Sequence, residues 1–474
     1  MSDDELRDAR SAERFRERGH RLVDRLADHL ASCHDDREGR VGRALDPEDA
    51  MRRFGEDFPE RGAGDLDALV ERILADGIRL QHPRFVGHQV SAPLPAAALV
   101  DLLAGLMNNG MAVFEMGPAA TAMERSVLRW MATRAGWPRG EGHLTSGGSI
   151  GNLVALLTAR QIGARLDARG RAAVERPALI VSEQAHYCAA RAAHVMGWGA
   201  DGLVEVPTDE SFRLRPDRLE AARLEARRRG REAIAVFASA CSTATGSYDP
   251  LEPIADFCER EGLWLHVDGA HGASALLSPR LRDRLAGIER ADSLVWDAHK
   301  MLMMPALVTG VLFRDPAHAT AAFAQRASYL FEADAEAEWF NHGHRTLECT
   351  KTMMGTRLWV ALHLHGEALF REHVESRHDL ATRFADALEE ASDFELALRP
   401  QSNIVCFRHR PPGGGDLDER QRRVRAALLA GERFYLTQTV LRGERWLRTT
   451  LIHPETDEAD LAALLDAIRA VPGR

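Results

Sequence analysis

Residues 291–313 read ADSLVWDAHKMLMMPALVTGVLF, and a single lysine lies between a strand-like segment and an apolar segment. Residues 293–296 have the pattern of a short buried strand, and residues 301–313 are almost wholly apolar. Lys300 lies between these segments, so we expect it to be largely buried. A buried ammonium group is unfavourable unless it is paired, neutralised or chemically converted. The position of Lys300 therefore requires an explanation.

Lysine is rare in this chain, which makes the lysine at position 300 more informative. The chain has 61 Lys and Arg residues, and only two of them, Lys300 and Lys351, are lysines. A deprotonated lysine is a nucleophile that condenses with aldehydes, whereas arginine keeps its charge. The stretch therefore predicts that Lys300 forms a Schiff base. The alternative is a lysine at a strand end whose ammonium group reaches solvent.

Length, charge and cysteine content exclude several classes of protein. A chain of 474 residues is long enough for two or three structural units, and its net charge of −10 gives no general basic field for nucleic acid. The six cysteines form no CxxC pair, and the chain opens with the charged MSDDELRDAR, so we expect reduced thiols in a cytoplasm. No apolar run approaches the roughly 20 residues that span a bilayer, so we expect no membrane protein.

Strands and helices alternate from Ala178 onward, which is typical of a largely parallel sheet with helices on its faces. Strands are expected at ALIVS, GLVEV, AIAVFAS and LWLHVD, and the segment before Lys300 continues the series. We expect three parts. They are a helical N-terminal segment over residues 1–64 that packs on the main body or a partner subunit, a large domain over 65–352, and a small α+β domain over 353–474.

Two polar features fall where an open α/β sheet places its ligands. Polar side chains follow the ends of successive predicted strands, namely His186, Ser242, Thr243, Asp268 and His271. The turn in TSGGSIGN, residues 145–152, opens an apolar helix, so its backbone N–H groups and the helix dipole favour a phosphate. Alternatively, each polar residue is a hydrogen-bonded group of the core, and the glycine-rich segment is only a tight turn.

These motifs resemble those of the pyridoxal-phosphate-dependent group II amino-acid decarboxylases, which include glutamate, cysteine-sulfinate and aromatic amino-acid decarboxylases. TSGGSIGN, SEQAHY, HVDGAHG and DAHK occur in the order of that family and at about its spacing. The resemblance covers roughly residues 65–460. It implies an α/β fold of type I among pyridoxal-phosphate enzymes, similar to aspartate aminotransferase, with a mainly parallel sheet flanked by helices and a smaller α+β C-terminal domain.

The resemblance also implies a role for each matching residue. Lys300 forms the Schiff base with pyridoxal 5′-phosphate, and Asp268 pairs with the pyridine nitrogen so that the ring accepts electrons. The other implied cofactor contacts are His186 on the ring face, Gly147, Gly148 and Ser149 at the phosphate, His299 near the phosphate, and Thr243 beside the cofactor. No metal is expected.

Departures from the family pattern concern the substrate and the proton donor. Family members commonly have NPHK before the lysine, whereas this chain has DAHK. His88 stands where acidic-substrate enzymes carry a glutamine for the substrate side chain, and Arg448 matches an arginine that binds a substrate carboxylate. In the loop after Phe331 the family often has a tyrosine that protonates Cα. WFNHGHR, residues 339–345, has none, so His342 is expected to take that role, with a solvated loop histidine as the alternative.

Three functions remain open on the sequence. The first is an L-amino-acid α-decarboxylase that releases CO2 and an amine from an acidic or small polar substrate. The second is an aromatic amino-acid decarboxylase, another pyridoxal-phosphate lyase or a decarboxylation-dependent oxidative deaminase. The third is a non-catalytic relative of the same fold, against which the presence of both Lys300 and Asp268 argues. The resemblance further implies a homodimer with shared active sites and an amino acid as the small-molecule substrate.

Overall fold

A computed structural model describes residues 3–55, 57–62, 64–166, 172–323 and 340–472 of the chain. The α-helices are α1 Asp3–Ala9, α2 Ala12–Asp35, α3 Pro47–Phe54, α4 Leu66–Asp76, α5 Pro95–Met107, α6 Pro118–Arg134, α7 Gly148–Gly163, α8 Cys188–Val195, α9 Leu219–Arg228, α10 Leu251–Glu261, α11 Met354–Glu390, α12 Leu417–Ala430 and α13 Glu458–Ala470. The strands are β1 Glu141–Thr145, β2 Pro177–Ser182, β3 Leu203–Val206, β4 Glu232–Ser239, β5 Trp264–Asp268, β6 Ser293–Asp297, β7 Thr309–Phe313, β8 Phe394–Leu396, β9 Ile404–His409, β10 Thr437–Leu441 and β11 Glu444–Thr450.

Seven strands form the larger sheet, in the order β1-β7-β6-β5-β4-β2-β3. The pairs from β3 through β6 are parallel, whereas β7 runs antiparallel to both β6 and β1. Strands β2, β5, β6 and β7 are buried at every residue, which explains why they read as apolar runs instead of alternating patterns. The prediction of a mainly parallel sheet is confirmed.

Helices cover this sheet and hold its strands in register. Helix α7 packs against β4, β5, β6 and β7, whereas α9 and α10 pack against β4 and its neighbours. The apolar core includes Val154 of α7, Phe237 of β4 and Val295 of β6, all of which are fully buried. Because this core is close-packed, the ends of the strands lie at defined positions along one edge of the sheet.

Two compact units divide the chain. One comprises residues 1–88, 388–395 and 407–474, and the other comprises residues 89–387 and 396–406. The larger unit contains the seven-stranded sheet. The smaller sheet has four strands in the order β10-β11-β9-β8, in which β10 and β11 form an antiparallel hairpin. No helix among the described residues is long and apolar enough to cross a membrane.

The unit boundaries differ from the expected ones at residues 64/65 and 352/353. Residues 65–88 belong with the C-terminal residues because Val86 exchanges backbone hydrogen bonds with Tyr435 and Thr450. Most of α11 belongs to the larger unit instead of the small one, since Glu375 of α11 accepts a hydrogen bond from the Ser278 hydroxyl. Both contacts join residues far apart in sequence, so composition along the chain does not reveal them.

Candidate active site

Most of the predicted site residues meet in one cavity of about 310 Å³ in the larger unit. The ends of β1, β2, β4, β5 and β6 surround it, as expected for a ligand site of an open α/β sheet. The predicted residues that line it are His186, Thr243, Asp268, His271, His299, Lys300 and the turn Gly147–Ser149.

Lys300 forms an ion pair at the cavity wall. Its Nζ lies 3.0 Å from Oδ2 of Asp297, and the lysine side chain is 19% exposed whereas that of Asp297 is 1% exposed. The other carboxylate oxygen of Asp297 accepts a hydrogen bond from the Thr309 hydroxyl. The buried ammonium group is thus paired, and its remaining exposure is toward the cavity that it lines.

The charge state of Lys300 follows from these neighbours. Burial lowers the pKa of the lysine, but the carboxylates of Asp297 and Asp268 outweigh burial and the net shift is upward. In the cofactor-free protein Lys300 is therefore an ammonium ion at neutral pH. It becomes a nucleophile only after it gives up that proton.

Asp268 and His186 form the second polar group of the cavity. Burial raises the pKa of Asp268, while Lys300 and His186 act in the opposite direction. Burial also lowers the pKa of His186, and the backbone N–H of Cys188 donates to its Nδ1 at 3.3 Å. The neutral His186 ring therefore carries its proton on Nε2. A cationic ring nitrogen placed beside Asp268 would compensate for the burial of that carboxylate.

The glycine turn provides an anion site at the start of α7. Gly147 has φ = +109°, a conformation that only glycine adopts without strain. A Cβ atom on Gly148 would lie 3.0 Å from Oδ2 of Asp297, which is tighter than an ordinary van der Waals contact. The free N–H groups and the dipole of the 16-residue helix α7 favour a phosphate at this end. His299 lines the same cavity, and the backbone N–H of Val308 donates to its Nδ1.

These features fit pyridoxal phosphate. A primary amine, a buried carboxylate and a glycine turn at a helix N-terminus line one cavity, and they match the aldehyde, the ring nitrogen and the phosphate of that cofactor. The cavity volume lies near the lower limit that is usual for small-molecule sites.

Besides His342, three predicted residues do not line this cavity. The Ser242 hydroxyl is bonded to that of Thr245 in a local turn, and within the described chain Ser242 is not among the residues that line the cavity. His88 and Arg448 belong to the smaller unit, where burial and the charge of Arg448 lower the pKa of His88. Arg448 donates a hydrogen bond to the Thr437 hydroxyl.

His342 is not a solvated loop residue, so that alternative is wrong. Its side chain is 5% exposed, and its Nδ1 lies 3.4 Å from Oε1 of the buried Glu124. Burial lowers the pKa of His342 to about 4, so the ring is neutral at pH 7 instead of titrating near neutrality as expected. Residues 324–339, which include Phe331 and the first part of the loop that follows it, lie outside the described residues.

Sequence reasoning missed Asp297. Asp297 stands in the DAHK motif, which by sequence alone indicates only a departure from the family pattern. Its position three residues before the lysine, at the end of β6, is the signal that could have identified it, because the two side chains then meet across one turn. Cys241 also lines the cavity and was considered only as a free thiol.

Comparison with known proteins agrees with this geometry. The model of the pyridoxal-dependent decarboxylase conserved domain matches residues 47–410. An aromatic-L-amino-acid decarboxylase of Bacillus atrophaeus is 28% identical over 97% of this chain and 96% of its own length. A human cysteine sulfinic acid decarboxylase is 32% identical over 72% of this chain and 70% of its own length.

Solved structures give the same result. The crystal structure of mouse CSAD superposes with a TM-score of 0.86 at 25% identity, covering 95% of this chain and 98% of that chain. The structure of Oryza sativa TDC with PLP and tryptamine superposes with a TM-score of 0.89 at 25% identity, covering 97% of this chain and 98% of that chain.

Proposed function

The chain belongs to the pyridoxal-dependent decarboxylase family and is a pyridoxal-phosphate-dependent amino-acid decarboxylase; we propose that its chemistry takes place in the cavity around Lys300. The observation that supports this location is the meeting of Lys300, Asp268 and the Gly147–Ser149 turn in that cavity. When bound, pyridoxal phosphate supplies an aldehyde that captures amines and a ring that accepts the electron pair of the broken bond.

The residues of the chain have separate tasks in this proposal. Lys300 would hold the cofactor and release it to the substrate amine, and Asp297 stabilises the ammonium form of Lys300 when the lysine is free. Asp268 would favour a positive charge on the ring nitrogen, since a buried carboxylate needs a cationic partner. His186 would pack on the ring, Thr243 would lie beside the cofactor, and His299 would lie near the phosphate, which the Gly147–Ser149 turn would bind.

We propose an acidic or small polar amino acid as the substrate. Arg448 and His88 are the cationic and polar groups assigned to the substrate, and arginine binds carboxylates in a bidentate manner. The similar proteins include decarboxylases named for acidic, cysteine sulfinic and aromatic amino acids, so the aromatic class is the second candidate. Assays of CO2 and amine release should show highest kcat/KM for an acidic or small polar substrate; highest kcat/KM for an aromatic amino acid would contradict this proposal.

Product identity separates a decarboxylase from the related deaminating chemistry. The expected products are CO2 and the amine, in equal amounts. An aldehyde accompanied by ammonia and consumption of O2 would instead indicate decarboxylation-dependent oxidative deamination.

The donor of the Cα proton is proposed to be His342. Among the described residues of the segment 340–351 there is no tyrosine, and His342 is the histidine of that segment that matches the expected position. His342→Phe should depress amine formation more than substrate binding and raise the fraction of turnovers that end in deamination or transamination. Equal effects from His342→Phe and from His344→Phe, or a normal rate with an unaltered product ratio, would remove the assignment.

We propose that the enzyme is a cytoplasmic homodimer. An apolar stripe on α5, formed by Leu99, Leu103 and Leu106, is exposed in the single chain, and exposed stripes of this kind are typical of subunit contacts. All six cysteines are free, which supports a reducing compartment. Sedimentation should give about twice the chain mass of 52.4 kDa. A fully active monomer would contradict the dimer.

A further inference from the structure

Lys351, the second lysine of the chain, has no role in the cofactor cavity but is more deeply buried than Lys300. Its Nζ donates to the carboxylate of Glu124 and, at 2.6 Å, to the backbone carbonyl of Leu144. The side chains of Lys351 and Glu124 are 3% and 0% exposed. Because removing two charges from water offsets most of their attraction, a buried pair of this kind is weak evidence of added stability. A role in positioning is therefore worth considering.

The pair is bonded to the open edge of a strand. Strand β1 lies at the end of the larger sheet and pairs with β7 on one side, and among the described strands none pairs with its other side. On that side the N–H of Leu144 donates to Oε1 of Glu124 at 2.9 Å, and the carbonyl of Leu144 accepts from Lys351. Glu124 and Lys351 thus satisfy the backbone groups that a further strand would otherwise satisfy.

Glu348 extends the contact to the next two residues. Its Oε1 accepts hydrogen bonds from the hydroxyl of Thr145 at 3.1 Å and from the hydroxyl of Ser146 at 3.3 Å. Leu144, Thr145 and Ser146 directly precede Gly147, where the phosphate turn begins. Three successive residues before that turn are therefore held by Glu124 together with the segment 348–351.

The charges of this group favour a fixed geometry. Burial raises the pKa of Glu124, but the charge of Lys351 and the N–H of Leu144 outweigh burial, so the net shift is downward and Glu124 is ionised. An ionised acceptor and an ammonium donor form stronger hydrogen bonds than neutral groups do. Charge-assisted hydrogen bonds therefore hold both the backbone N–H and the backbone carbonyl of Leu144.

We propose that Lys351, acting with Glu124 through Leu144, is a positioning residue that sets the affinity of the Gly147–Ser149 turn for the phosphate of the cofactor. This inference rests on the proposed location of the cofactor. Hydrogen bonds weaken steeply with angle, so a small shift of the turn reduces the bonds that its N–H groups make to an anion. Lys351 itself does not need to touch the cofactor.

The test compares two ligands that differ only in the phosphate. Pyridoxal 5′-phosphate and pyridoxal share the aldehyde and the ring, so effects on Lys300 and Asp268 cancel in the ratio of their dissociation constants. The ratio is measured for the full-length protein and for Lys351→Met. A double variant, Lys351→Met/Glu124→Gln, keeps the net charge of the cluster and leaves no buried carboxylate unpaired, so it separates positioning from long-range attraction and from misfolding.

The expected result is a loss of preference for the phosphorylated ligand by about tenfold in both variants, because the loss of positioning costs the equivalent of about one charge-assisted hydrogen bond. The ³¹P resonance of the bound cofactor should also shift and broaden, which loss of stability alone would not produce. An unchanged ratio and an unchanged ³¹P resonance in the folded double variant would overturn the proposal, even if its melting temperature falls.

Two controls identify which assumption fails. Ser149→Ala removes a hydroxyl from the proposed phosphate turn and should lower the ligand ratio. If Ser149→Ala leaves the ratio unchanged, the assigned phosphate site is wrong; if only the Lys351 variants leave it unchanged, the positioning role is wrong. Arg84→Met/Asp460→Asn removes a buried ion pair of the smaller unit, whose side chains are 6% and 3% exposed, and should reduce stability without changing the ratio.

Discussion

Lys300 and Lys351 each lie against a carboxylate in the same unit, but Lys300 lines the proposed cofactor cavity and Lys351 does not. The Lys300 side chain is 19% exposed and lines the proposed cofactor site, whereas the Lys351 side chain is 3% exposed and binds a strand edge. A lysine can exchange its proton and react only where a ligand can reach it. In our proposals the same type of ion pair therefore serves the reaction at Lys300 and holds a strand edge in place at Lys351.

The partners of the two lysines differ in a corresponding way. Asp297 is three residues from Lys300 on the same turn of chain, and its second oxygen accepts from Thr309. Glu124 is 227 residues from Lys351 and accepts from the backbone of β1 as well. The first pair adjusts the charge of a reactive amine, while the second ties distant segments together.

The largest expected effect is that of removing the reactive amine. Lys300→Ala should abolish the visible absorbance of bound cofactor and lower kcat by at least about 10⁴-fold, because no other group of the cavity can replace the nucleophile. Lys300→Arg should not restore activity, since a guanidinium group keeps its proton. Lys351→Met should retain the absorbance. Substantial turnover by Lys300→Ala would contradict the proposed difference in role between Lys300 and Lys351.

A smaller loss is expected when the carboxylate on the far side of the cavity is neutralised. Asp268→Asn should lower kcat by about 10²-fold, because the site loses the charge that stabilises a cationic ring nitrogen. The fold should persist, as judged by circular dichroism and the melting temperature. Asp292→Asn makes the same change in a carboxylate that pairs with Arg314 and does not line the cavity, so it should leave kcat much closer to that of the parent. Equal losses would indicate a general charge effect.

The buried position of His342 should make the stability of the protein depend on pH. The pKa of His342 is about 4 in the fold, below the value of about 6.5 in an unfolded chain, so its contribution to stability is complete above about pH 6.5 and is lost as the pH falls toward 4. His342→Gln should therefore flatten the fall in unfolding free energy between pH 7 and pH 4 by up to about 3 kcal/mol. Denaturant titrations at each pH measure this change.

His378 is the matched control for that measurement. It is buried in α11, and burial lowers its pKa to about 4 as well. His378→Gln should flatten the pH profile by a similar amount. A steep profile that His342→Gln leaves intact would mean that His342 is protonated in the fold.

The subtlest effect concerns the proton on Lys300. Asp297→Asn removes the nearest carboxylate, so the effect of burial is less fully opposed and the pKa of Lys300 should fall. In cofactor-free protein the pH at which an acylating reagent modifies Lys300 should then move downward, as followed by mass spectrometry of the peptides. Lys351 provides an internal control in the same digest, because it should remain unmodified at every pH at which the protein is folded. An unchanged profile for Lys300 would show that Asp297 does not control its charge.

Several expectations from the sequence agree with the structure because they rest on local patterns. The apolar runs of β2, β5 and β6 predict buried parallel strands, and the polar residues at their ends predict a ligand site. A glycine at position 147 satisfies the positive φ of the turn. In each case the signal and the feature that it predicts lie within a few residues.

Other expectations differ because they depend on distant parts of the chain. The segment containing His342 has the glycine and polar residues of an exposed loop, yet it is buried against α6 because Lys351 and Glu124 join there. Residues 65–88 are expected from the sequence in the large domain, but the backbone of Val86 pairs with that of Tyr435 and Thr450. Local composition carries no information about such pairings.

Sequence patterns alone predict the mainly parallel α/β sheet, the strand ends that line the cavity and Lys300 as the proposed Schiff-base lysine, because periodicity, glycine placement and the rarity of lysine are properties of short stretches. The pairing of Asp297 with Lys300, the bonds of Lys351 and Glu124 to the edge of β1, and the burial that lowers the pKa of His342 become visible only in the folded chain. Burial and charge pairing arise only when the sheet and its helices assemble, since both depend on which surfaces exclude water from each other.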